Sequence, residues 1–81
     1  MDNRVWVVMN EVLCINDEGT VLDKLVGVAS IHRSFGGAIE FAKDQNEKEL
    51  EKGTKSVKMV NGDIVRIDYY VDLEHTFFIL D

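Results

Sequence analysis

The chain has no proline, one cysteine, and fewer bases than acids: 9 Lys and Arg against 15 Asp and Glu. Each shortage excludes something. A lone Cys14 cannot close an internal disulfide, so a disulfide-stapled scaffold is ruled out and a reducing, cytoplasmic setting is expected. A net charge of −6 argues against duplex nucleic acid as a partner, because phosphate binding requires a basic surface. No uncharged run approaches the ~18 residues that span a bilayer, and Met1-Asp2-Asn3-Arg4 lacks a signal peptide's layout, so no membrane partner is expected. The six glycines match neither a dinucleotide fingerprint nor a phosphate-cradling loop. There is no Cys-x-x-Cys, no His-Glu-x-x-His and no calcium loop, so neither metal nor cofactor is expected.

What is present fits one small α+β domain over residues 1–81. A chain of this length buries only about 60–65% of the surface its unfolded form exposes, which leaves a thin margin of stability. Residues 1–33, 34–53 and 54–81 each carry five acids and three bases. An even spread is that of a solvated mixed-charge surface, rather than the concentrated carboxylates of a nucleic-acid mimic.

Arg4 to Cys14, rich in Val with Trp6 and Met9, predicts a strand, and Val21 to Ile31 a second. Asn16 to Thr20 between them is turn chemistry, with Gly19 available for positive φ, so the pair is expected to form an antiparallel hairpin. Ser34 is placed to cap a helix whose stripe is Phe35, Ala38, Ile39, Ala42 and Leu50, interrupted by Asn46, and Lys52-Gly53 closes it. Val57 to Val60, Asn61-Gly62 and Asp63 to Val71 predict a second hairpin with a type I′ turn. Asp72 to His75 predicts another turn, and Thr76 to Leu80 a last strand. The order is β-β-α-β-β-β: an antiparallel sheet of four to five strands with one helix packed on one face. Two strands, then Gly27-Val28-Ala29-Ser30, Ser34 and Ala38 opening a helix, then aromatic-rich strands, resemble short single-domain proteins of bacteria and their phages. That resemblance implies a bacterial or phage setting and carries over no functional residue.

Candidate chemistry is scattered. If Ile15 pairs with Val21 and the register is regular, Cys14 lies opposite Leu22 and His32 opposite Arg4. The two are then ten pairs apart, about 33 Å at the usual strand rise, too far for a nucleophile and its base. Cys14 reads as a small inert hydrophobe, and no catalytic residue is assigned. Two features remain. His32, Arg33, Ser34, Gly36 and Gly37 form a basic helix entrance with no acid until Glu40, where free amides can hold a small anion. Alternatively, the two glycines let the helix approach the sheet and Ser34 merely caps.

The second feature is a surplus of apolar faces. In the regular register Trp6, Val8, Val12, Leu22, Val26 and Val28 share one face, and Val5, Val7, Met9, Leu25, Ala29 and Ile31 the other. One helix covers one face, expected to be that of Trp6. Val5, Val7, Met9, Ala29 and Ile31 are then left for an interface with a second copy of the chain or a host protein, unless sheet twist and loops hide them. The leading expectation is a non-enzymatic interaction domain of the accessory or inhibitor type. The alternative is binding of a small anionic ligand at His32–Gly37, and an enzyme is the least expected of the three.

Overall fold

The computed structural model describes residues 3–80. Its elements are β1 (Arg4–Ile15), β2 (Val21–His32), α1 (Phe35–Lys52), β3 (Ser56–Lys58), β4 (Ile64–Val71) and β5 (Phe77–Phe78). All pairings are antiparallel, in the order β2-β1-β4-β3, and β5 continues along β1 at Arg4 and Val5. The fold is the expected α+β arrangement, one helix on a five-stranded sheet. No described helix is long and apolar enough to cross a membrane.

Local chemistry accounts for the element ends. Ser34 is extended (φ −126°, ψ 146°) and its hydroxyl accepts from Gly37 N at 3.1 Å, satisfying a first-turn amide. Gly53 closes α1 at φ 73°, a left-handed position that other residues adopt at a cost. In the first hairpin the Asn16 carboxamide oxygen accepts from Glu18 N and Thr20 N, at 3.0 and 2.8 Å. The Asn61-Gly62 turn departs from the expected type I′. Only Gly62 has positive φ, Gly62 N donates to Met59 O, and Met59 N closes the loop on Asp63 O. Type I′ requires two left-handed residues, whereas a type I turn followed by one left-handed glycine needs a single one.

The β1–β2 register corrects the regular pairing in two places. Ile15 does face Val21, but Cys14 faces Asp23, Met9 faces Val28 and Trp6 faces His32, with shifts between Cys14 and Ile15 and between Val8 and Met9. Each shift leaves one extra residue on β2, Leu22 and then Ala29, as a β-bulge does. One extra residue turns every later side chain to the other face. Leu25 therefore shares the Trp6 face with Val12, while Val26 and Val28 join Glu11 and Met9 on the opposite face.

The helix packs on the Trp6 face, at one end of the sheet. Val8, Ala38, Ala42 and Val71 form the core, with Trp6, Ala29, Phe41 and Tyr69 packed around it. Phe35 meets the Trp6 ring edge-on at 4.9 Å, and the Arg4 guanidinium lies 3.9 Å from the centre of the same ring. Asn46 explains the break in the apolar stripe. Its carboxamide donates to Tyr69 O (2.9 Å) and accepts from Tyr69 N (3.0 Å), doing for β4 what another strand would. Lys55 Nζ joins it, 2.7 Å from both Asn46 Oδ1 and Asp68 Oδ1. The core takes nothing from β1 beyond Val8, so the hairpin runs on past the helix and the described residues extend 52 × 25 × 16 Å.

Candidate functional site

The exposed apolar surface lies on β2. Val21, Leu22, Leu25, Val26, Val28 and Ile31 are all between 46% and 66% exposed. β2 is also the end strand of the sheet, so its outer N–H and C=O groups have no strand beside them among the described residues. Sheet edges in monomers are commonly guarded by Lys, by Pro, by shortness or by bulges, and on β2 the bulges bound a regular stretch, Asp23–Val28, without interrupting it. β2 is 12 residues long, and Leu25 to Ile31 contains neither a charge nor a proline. Its single lysine, Lys24, is drawn to Glu11 at 3.4 Å.

On the face away from the helix, Val28 lies beside Met9, which lies beside Tyr70, and Val26 beside Glu11. The turn after β4 approaches this row. Met9, Val26, Tyr70 and Val71 line an open pocket of about 340 Å³ together with Asp72, Leu73, Glu74 and His75. Asp72 organises the turn: its carboxylate accepts from Glu74 N at 2.9 Å and His75 N at 3.1 Å, and lies 3.0 Å from His75 Nδ1. Desolvation raises the Asp72 pKa, but the bonds from the His75 amide, the His75 ring and the Glu74 amide outweigh it. The net result is a pKa below the ordinary aspartate value.

Of the five residues expected at an interface, two remain uncovered on the face away from the helix. Met9 is half-buried on the open face and Ile31 is exposed beside Val7. Val5 and Val7 are buried by the chain itself, where Asp72 N donates to Val7 O and β5 pairs with Arg4 and Val5. Ala29 is the bulge residue and packs against the helix-side core. Val26 and Val28, assigned to the helix side by the regular register, lie exposed on the opposite face. The charge-free run Leu25–Ile31 was the signal in the sequence that could have singled them out.

The expected anion-binding residues at the helix entrance are placed as follows. His32 turns inward, with Nε2 2.7 Å from Ser30 Oγ and its ring 5.2 Å from that of Phe41, while Arg33 is exposed. Ser34 is committed to Gly37 N. At Gly37 a Cβ would come within 3.0 Å of Ser34 Oγ, so this glycine permits a close approach; at Gly36 a Cβ would meet nothing within 4 Å. Cys14 lines a second open pocket with Met59, Val60, Asn61, Asp63 and Val65, which include neither a histidine nor a cation to stabilise a thiolate. With Cys14 facing Asp23 and His32 facing Trp6, the two remain about 27 Å apart along the ribbon. His75 lies on the other face, in the Asp72 turn. Among the described residues no three His, Cys, Asp or Glu side chains gather as metal ligands. No family model, no curated protein and no solved structure matches this chain, so a functional reading rests on its own geometry.

Proposed function

We propose that the protein is a non-enzymatic interaction domain of the accessory or inhibitor type, which binds a protein partner along β2. One observation carries the reading: six large apolar side chains stand between 46% and 66% exposed along one long end strand. They lie on both faces of the strand beside its open edge, a denser apolar exposure than singly scattered surface residues give. A strand edge offers backbone hydrogen bonds for affinity and alternating side chains for selectivity, which suits recognition of another polypeptide.

Site-specific photo-crosslinking in cells making the protein tests this. A photoreactive residue at Val28 is expected to give discrete protein adducts, and the same residue at Lys48, exposed on the helix, is not. Equal yields at both positions, or none at Val28, would refute the assignment.

A further inference from the structure

Resting on that reading, we infer that the partner on β2 is a second copy of the chain, joined strand to strand about a two-fold axis. The regular part of β2 is Asp23–Val28, bounded by the bulge residues Leu22 and Ala29. Within an antiparallel ladder alternate residues turn N–H and C=O outward, so these six residues present three donors and three acceptors. A two-fold axis perpendicular to the sheet aligns them with the same groups of the second copy, centred on Leu25 or on Val26. Both groups of the central residue then bond the same residue of the copy, and up to six backbone bonds form. The sheet becomes eight strands wide, β3-β4-β1-β2 followed by its mirror order, with both helices on one side.

The charge pattern of this edge suits self-pairing. A chain of net charge −6 meets itself without repulsion only where its charges are absent, and Leu25–Ile31 is such a stretch. Centred on Leu25, Lys24 faces Val26 of the copy and Asp23 faces Gly27. Centred on Val26, Lys24 faces Val28 and Asp23 faces Ala29. Neither arrangement opposes two charges. Centred on Leu25, the Leu25 and Val12 of each copy continue one apolar row across the junction on the helix side. Strand-edge pairing flanked by partly exposed apolar side chains is a modest contact, so a reversible, concentration-dependent dimer is expected rather than an obligate one.

Sedimentation velocity of the purified chain from 1 to 500 μM, with amide hydrogen exchange at both ends of that range, tests the pairing. The expected result is a concentration-dependent dimer, with slower exchange at high concentration confined to alternate amides of Asp23–Val28. Val28→Lys and Leu25→Lys, on opposite faces of the same edge, are each expected to weaken the dimer at least tenfold with an unchanged circular dichroism spectrum. If either variant unfolds, the exchange pattern of the parent chain alone decides between pairing and none. A monomer at every concentration overturns the two-fold pairing. If Val28 still crosslinks to a different protein in cells, the interaction surface stands and only its occupant is wrong. A dimer that survives both lysines, with unchanged exchange along β2, overturns the pairing as well.

Discussion

Asn46→Leu would complete the apolar stripe of α1, and by helix patterning alone it should stabilise the protein. The structure leads to the opposite expectation. Leucine removes the donor to Tyr69 O, the acceptor for Tyr69 N and the acceptor for Lys55 Nζ, leaving a strip of β4 edge unpaired beneath the helix. Each such bond contributes about 0.5–1.5 kcal/mol net when its partner is partly buried. Added apolar burial at a half-exposed site returns about 1 kcal/mol. The balance is a loss of about 2 kcal/mol. With an m-value of about 1 kcal/mol/M for so small a chain, the urea midpoint followed by circular dichroism should fall by about 2 M. The melting temperature should drop by about 8–16 °C. Asn46→Asp retains the acceptors for Tyr69 N and Lys55 but loses the donor to Tyr69 O, so it should cost less than leucine. A leucine variant as stable as the parent would contradict this balance, and show that the helix is held by its apolar contacts without the amide.

Two further expectations concern the core and the turn after β4. Val8→Ala, at a fully buried position between helix and sheet, should cost about 2 kcal/mol in a denaturant titration. Ile39→Ala and Leu50→Ala, both substantially exposed, should each cost under half as much; equal losses would misplace the core. Because the folded-state pKa of Asp72 lies below its unfolded value, its contribution is fully present above about pH 4 and is lost as pH falls through the folded value. Asp72→Asn should therefore flatten the acid limb of the stability profile below about pH 4, and an unchanged limb would show that the turn does not depend on this carboxylate.

The parts of the fold legible in the sequence are those whose causes are local. Ser34 and Gly53 mark both ends of α1 because a cap needs only its own residue and the next turn. Asn16 and Gly19 mark the first hairpin because the bonds close within five residues. The bulges at Leu22 and Ala29 left no such mark, since neither residue type distinguishes a bulge from a regular strand, yet together they reassigned Leu25, Val26, Val28 and Ala29. Asn46 was visible as an irregularity, but its explanation lies 23 residues away at Tyr69. Val5 and Val7 were expected at an interface with a partner, and the chain itself buries them. That the cover came from the same chain depended on the path of residues 72–79, which no periodicity encodes.

The 52 Å length has a mechanical consequence. The helix clamps the sheet at the Val8 end, and the opposite end, from Ile15 to Val21, projects like a cantilever beam with only strand pairing to stiffen it. Opening of such a beam begins at its free tip and travels towards the clamp, so among the β2 amides bonded to β1, protection should rise from the Val21 end towards Ile31. Anything seated along β2 acts as a splint. Part of its binding free energy goes into stilling the beam, and the stiffening is felt on β4 and β3, which it does not touch.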